Sequence, residues 1–314
     1  MSTTASVGPI PLPVLVVFRG IGQVMFQESA LTGALFVLGI ALSIPVLAAG
    51  IVVGAAIGTA VAWFAKFDKG EVLAGIHGFN PALVGIGTLF FFEPGVGSIS
   101  LLVVGSVLAT FLTRLVRTHV PFPTYTAPFI VVTWGVFFLG PVIGAVPIGG
   151  DYPTLVPNPP FGAFVEAVAH GVGQVMFQAS IWTGVLFVVG IAVNDRPHAI
   201  WVVVGSVVGM LVANYHVAAG MQAIDPEKLI PRSQADTVTL GLFGYNPTLV
   251  AVALFLNRRS LVAPLVGVFL SVPLTELVPR LGLPALTAPF VLAAWIVLGL
   301  ERLESRLFGP SPSK

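Results

Sequence analysis

Apolar residues run through this chain in long blocks, and the breaks between the blocks recur. Such blocks cover about residues 12–27, 30–46, 47–65, 98–116 and 122–141, then 161–178, 180–194, 199–219, 261–278 and 284–299. Runs of this kind predict membrane helices, because about 20 residues at 1.5 Å each cross a hydrocarbon core of about 30 Å. Two pieces differ. Residues 70–92 are interrupted at Gly75, Gly78 and Pro81, and residues 234–256 at Gly244 and Pro247. The arm over 80–92 would reach only about 20 Å, so both pieces are expected to enter the bilayer and stop part-way. The pattern predicts an all-α membrane protein with five transmembrane helices and one re-entrant half-helix in each half.

The polar positions inside these blocks come in two sets. Gln23-Val24-Met25-Phe26-Gln27, Gly78-Phe79-Asn80-Pro81 and Pro123-Thr124-Tyr125-Thr126-Ala127-Pro128-Phe129 form the first. Gln174-Val175-Met176-Phe177-Gln178, Gly244-Tyr245-Asn246-Pro247 and Pro284-Ala285-Leu286-Thr287-Ala288-Pro289-Phe290 follow in the same order, at offsets of 151, 166 and 161 residues. An odd number of crossings per copy turns the second copy over. Residues 1–150 and 151–314 are therefore expected to be inverted repeats of a single membrane domain, with a pore between them.

Composition sharpens the solvent assignment. Charged residues make up 9% of the 314, against roughly 25% in a soluble domain, and hydrophobic residues 56%. Such a chain must turn most of its outside to lipid. A net charge of +1 gives no sign of a nucleic-acid partner, and the lack of cysteine removes disulfides and thiolate metal sites. No basic stretch and cleavage site precede the first apolar block, so it is counted as a membrane segment rather than a signal peptide. Arg114, Arg117, Lys228, Arg232, Arg258, Arg259, Arg302 and Arg306 fall on the side of the termini, and Lys66, Lys69, Arg196 and Arg280 on the other. That excess predicts cytoplasmic termini in a plasma (inner) membrane.

Several chemistries are disfavoured. There is no Gly-x-Ser-x-Gly elbow, His-Glu-x-x-His pair or phosphate loop, so no enzyme is read here. His77, His119, His170, His198 and His216 lack metal spacing, and neither a metal nor a cofactor is expected. No Asp or Glu stands in the middle of an apolar block, where an ion-coupled carrier often needs one. Asn or Thr ahead of Pro81, Pro247, Pro128 and Pro289 suits helix starts, and such starts inside the bilayer would point partial positive charge at a common centre. What remains is a neutral lining of amides, hydroxyls, carbonyls and aromatic faces, suited to a small uncharged solute that forms hydrogen bonds. Asn80-Pro81-Ala82 and Asn246-Pro247-Thr248 leave an aquaporin-like channel as the nearest rival, although it explains neither the length nor the paired threonine-proline motifs. Other small-neutral-solute channels and an ion-coupled carrier stand behind it.

The doubled Gln-Val-x-Phe segments, the Gly-Phe-Asn-Pro and Gly-Tyr-Asn-Pro pair, and above all Leu283-Pro284-Ala285-Leu286-Thr287-Ala288-Pro289-Phe290 resemble the urea transporter family over about residues 18–300. The resemblance implies a homotrimer with one pore per subunit and channel-like urea permeation, extending to close amide analogues. It implies a slot whose aromatic rings flank flat solutes while oxygens accept their N–H groups. Carried over, Gln23 and Gln174 bind urea at two outer sites, flanked by Phe26 and Phe79 at one and by Phe177 and Tyr245 at the other. Leu83 and Leu249 narrow the walls, and Thr126 and Thr287 meet near the midplane. Tyr245 departs from the phenylalanine that symmetry with Phe79 leads one to expect, so the two mouths need not be alike.

Overall fold

The computed structural model describes residues 11–149, 156–218, 225–229, 233–258 and 261–308, with backbone only at 216–218, 234–235 and 258. Arg232 and Arg259, and the side chains of His216 and Arg258, lie outside these described residues. The first half runs α1 (Leu12–Gly22), α2 (Ala30–Ser43), α3 (Pro45–Phe64), α4 (Lys69–Leu73), α5 (Phe79–Phe91), α6 (Val96–His119) and α7 (Ala127–Leu139). The second repeats that order as α8 (Ala163–Gly173), α9 (Ile181–Asn194), α10 (Arg196–Ala218), α11 (Gln234–Thr239), α12 (Tyr245–Arg258), α13 (Val262–Arg280) and α14 (Ala288–Phe308).

Helix lengths give fewer clear spans than the apolar blocks do. Among the described residues four helices, α3, α6, α10 and α13, are long and apolar enough to cross a bilayer alone, and the count rises to six if each bent pair α1–α2 and α8–α9 is one span. The expectation was ten. Blocks 12–27 and 30–46 are joined through a sharp break: a 3-10 turn at Gln23–Met25 closes α1, and Phe26 takes the left-handed φ of 61°. Ser29 then accepts a hydrogen bond from Thr32 N and opens α2 at 76° to α1. Phe177 (φ 59°) and Ser180 repeat the device at 72°. A bulky residue in this region is strained and is kept only where its side chain is needed.

Apolar composition also reports burial in protein. Every residue of α5 from Asn80 to Leu89, and of α12 from Tyr245 to Leu254, is buried. A helix apolar on all sides belongs inside a bundle, and here α3 and α6 enclose α5 while α10 and α13 enclose α12. By contrast, α6 leaves Val104, Leu108 and Leu115 more than half exposed, a face that suits lipid.

Equivalent residues of the two halves exchange contacts. Thr32 Oγ1 donates to Gly190 O at 2.8 Å, and its counterpart Thr183 donates to Gly39 O at 2.8 Å. Between these contacts the counterparts Phe36 and Phe187 meet ring to ring, with centroids 4.6 Å apart. Position 32 meets 190 while 39 meets 183, so α2 and α9 run antiparallel. Farther along, Trp134 Nε1 donates to Pro284 O and Trp295 Nε1 to Pro123 O, at 2.8 and 2.9 Å. Reciprocal pairs, with self-pairs between them, are how the surfaces of an isologous contact meet.

Candidate functional site: a slot between two half-helix starts

The site is assembled where α5 and α7 begin, and again where α12 and α14 begin. Gly75 (φ 80°) turns the chain before α5 and packs so close to α1 that a Cβ there would lie 2.4 Å from Gly20 N; Gly241 (φ 74°) meets Gly171 in the same way, at 2.3 Å. The turn offers a backbone carbonyl to the end of α1. Gln23 Nε2 donates to Ala74 O at 3.0 Å, and Gln174 Nε2 to Leu240 O at 3.0 Å. One N–H of each amide is held in this way, leaving the side-chain oxygen and the second N–H for other partners.

The asparagines do not cap their own helices. Asn80 lies within the first turn of α5, and its Oδ1 accepts from Phe129 N of α7 at 3.1 Å, while its Nδ2 donates to Thr113 Oγ1 and Tyr125 O. Asn246 repeats the tie to Phe290 N at 3.0 Å, Thr275 Oγ1 and Leu286 O. Each Asn-Pro therefore fixes one helix start to another and satisfies an amide that could not be left bare inside a membrane. Thr126 caps nothing with its side chain. Its hydroxyl meets that of Thr287 at 2.6 Å, both residues being buried. The two threonines thus touch rather than face each other across a gap.

Aromatic rings stand on either side of the waist. On one, Phe26 is edge-on to Tyr125 and Phe290, at 6.0 and 6.1 Å. On the other, Phe177 stacks on Phe90 at 4.5 Å and meets Phe129 at 6.4 Å. Leu83 and Leu249, one turn beyond Phe79 and Tyr245, are fully buried in the walls. Of the residues singled out from the sequence, Thr126 and Thr287 meet each other, Phe26 and Phe177 meet Phe290 and Phe129 in the first turns of α14 and α7, and Gln23 and Gln174 are tied to the turns before α5 and α12. Tyr125 and Leu286, quoted above only as parts of the paired motifs, and Phe90, outside them, join these contacts.

The two mouths differ. Phe79 and Phe26 are half-buried, whereas Tyr245 is 2% and Phe177 6% exposed. Residues 225–229 cover Tyr245 and reach Phe90, the ring that stacks on Phe177. Glu227, fully within the protein, accepts from the Tyr245 hydroxyl through Oε1 and from Leu286 N through Oε2, the latter at 3.3 Å. Pro226 O accepts from Ala285 N at 2.6 Å, and Lys228 Nζ lies 5.3 Å from the Phe90 ring centre. Burial pushes the Glu227 carboxyl up to about 8, with nearby Asp225 adding to the rise and the Tyr245 and Leu286 hydrogen bonds opposing it. A carboxyl thus reaches the Tyr245 hydroxyl and the Leu286 amide, although none stands in the middle of an apolar block. The signal available in sequence was the jump in repeat offset from 151 to 166 between the first two motifs.

Elsewhere the polar groups serve the scaffold. His77 Nε2 pairs with Glu71 at 3.1 Å, and burial lowers its pKa. His170 lies between Asn158 and Thr239 O, His198 contacts Gln27 at 3.2 Å, and Arg19 reaches Leu73 O. Among the described residues no three His, Cys, Asp or Glu side chains come together as a metal site.

A neutral slot with amide oxygens on both sides of paired hydroxyls defines a narrow class of solute, and comparison with known proteins narrows it further. The profile of a family described as urea transporter matches residues 14–302. The chain belongs to the urea transporter family. Among its relatives, urea transporter 1 of Capra hircus is 24% identical over 332 aligned residues, covering 95% of this chain and 79% of the relative. Urea transporter 1 of Ovis aries gives the same figures, and that of Rattus norvegicus is 24% identical over 334 residues. As a family member the chain is an integral membrane protein and a transporter, not an enzyme.

Proposed function

We propose that the chain lets urea cross the membrane by facilitated diffusion, through the slot between residues 1–150 and 151–314 acting as two inverted repeats of a single membrane domain. The observation that carries this reading is the contact of Thr126 with Thr287 between two aromatic-flanked glutamines. Urea is flat and neutral, with four N–H hydrogens and one carbonyl. It needs several acceptors in a row, and the hydroxyls keep lone pairs free for N–H even while bonded to each other. Gln23, Phe26 and Phe79 form one outer site, and Gln174, Phe177 and Tyr245 the other. Leu83 and Leu249 set the width, and Thr126 and Thr287 receive a urea that has shed most of its water. Ions are disfavoured because no fixed charge at the waist replaces their hydration.

The antiparallel packing of α2 on α9 supports the inverted arrangement, since it turns one copy over relative to the other. Arg302 of α14 bonds Pro121 O just after α6, which groups part of the basic excess on one side, read here as the cytoplasmic side of the plasma membrane. The exposed apolar faces fit lipid and the neighbouring subunits of a homotrimer. Close amide analogues share urea's donors and flatness and belong to the same substrate class. The test is stopped-flow urea entry into liposomes holding the purified protein. Urea should equilibrate in either direction without a sodium or proton gradient; uphill accumulation dependent on such a gradient would establish a carrier instead.

A further inference from the structure

The cover over the second mouth has its own chemistry. Tyr245 and Phe177 are the aromatic flanks of that mouth, and two consecutive residues of one segment reach both. Glu227 holds the Tyr245 hydroxyl, and Lys228 lies on Phe90, which stacks on Phe177. The segment therefore crosses the slot from one flank to the other. Its backbone is tied down through Pro226 O and Ala285 N, and Glu227 takes the Leu286 amide two residues before the start of α14.

Among the described residues nothing equivalent stands at the first mouth. There α3 and α4 are joined by residues 65–68 alone, whereas the offset between corresponding helix starts rises from 151 (Pro45 to Arg196) to 165 (Lys69 to Gln234). The second half thus carries an extra stretch between α10 and α11. Phe79 also lacks the hydroxyl that Glu227 grips on Tyr245. Two departures from symmetry, an inserted acid and an added hydroxyl, meet in one hydrogen bond.

We propose that residues 225–229 form a gate that closes the second mouth of the slot, held shut by Glu227 on the Tyr245 hydroxyl and the Leu286 amide. Opening returns both donors to the slot, where a urea carbonyl can accept from them in place of the carboxyl. The gate also senses pH. The ionisable groups facing Glu227 are Tyr245 from α12 and Asp225 from its own segment; α5 presents Phe90, over which Lys228 lies, and the lead-in to α14 presents backbone. Closed, the carboxyl titrates near 8; in water it returns to about 4.3. The closed state thus binds the proton more tightly. Closure is favoured fully below the free carboxyl's range and is lost as pH rises through about 8.

This inference rests on the slot reading, so its test separates the two. In proteoliposomes, Tyr245→Phe and Glu227→Ala should each raise urea flux about 3- to 10-fold at pH 6, the loss of one or two hydrogen bonds from the closed state. Glu227→Ala should also flatten a wild-type profile that rises from pH 5 to 8, whereas Tyr245→Phe, which keeps the carboxyl, should only shift it by up to about one pH unit. The chain has no cysteine, which allows an independent lock. Residues 226 and 285 are joined by a backbone hydrogen bond, which brings the two backbones together for cross-linking. The pair Pro226→Cys, Ala285→Cys should conduct less when oxidised and recover on reduction. The gate is refuted if both single variants keep wild-type flux and pH profile and the oxidised pair conducts like the reduced one. If Thr126→Val, Thr287→Val also conducts normally, the slot reading fails; if that variant is slow, the gate alone fails.

Discussion

The two halves of this protein use one set of parts and arrive at different mouths. In both, a 3-10 turn ends on a left-handed phenylalanine, a glutamine amide is tied to a turn carbonyl, and an asparagine joins two helix starts. The parts that differ are Phe79 against Tyr245, and a four-residue link, 65–68, against one that carries Glu227. The shared parts satisfy the backbone inside a membrane and have little freedom to change; the unshared ones sit where the slot opens.

The comparison can be broken first at the waist, where the halves contribute equally. Valine keeps the shape of threonine and removes the acceptor, leaving a urea N–H unpaired at a cost of about 1–3 kcal/mol. If the waist limits flux, Thr126→Val, Thr287→Val should conduct urea about 5- to 150-fold more slowly. The two serine replacements should be much milder. Wild-type flux in an assembled valine variant would remove these hydroxyls from the path.

The asparagine ties are the next measure of equivalence. Asn80→Ala strands the buried Phe129 amide and Asn246→Ala the Phe290 amide, so each should cost about 1–3 kcal/mol of stability. Thermal unfolding in detergent should show matched losses. A loss in only one variant would mean that the second helix start is held by something other than its asparagine.

The outer sites should differ most subtly. Gln23→Leu removes an acceptor at the open mouth and should weaken urea binding from a few-fold to about tenfold. Gln174→Leu, beneath the segment 225–229, should have a smaller effect in the wild-type background and an equal one once Tyr245→Phe is added. Flux saturation measures both, and identical effects in the two backgrounds would dissociate that segment from the site.

How much of this was legible beforehand follows the range of the interactions. The doubled motifs mark every helix start in the slot, because a glutamine or threonine inside an apolar block is visible locally. The role of Asn80 was not legible: an Asn-Pro pair reads as a cap for its own helix, and its partner, Phe129, lies 49 residues away. An apolar block looks the same whether lipid or protein surrounds it, and it was the glycine and proline breaks, not apolar content, that set the enclosed α5 and α12 apart from the other blocks. Glu227 lies in the link between α10 and α11, outside every motif singled out from the sequence. A jump in offset revealed extra chain there without saying that it turns inward.

The antiparallel seam of α2 and α9 bears on ancestry. Its exchanges, Thr32 to Gly190 and Thr183 to Gly39 around the Phe36–Phe187 pair, are those that two copies of a half-length chain would make on meeting upside down in a bilayer. Such a pair is bound by its symmetry, because any substitution in the gene appears at both ends of the pore. Joining the copies into one reading frame releases that constraint. Only then can one entrance acquire an acid and a phenol while the other stays as it was, and a passage that began without direction can inherit a front and a back.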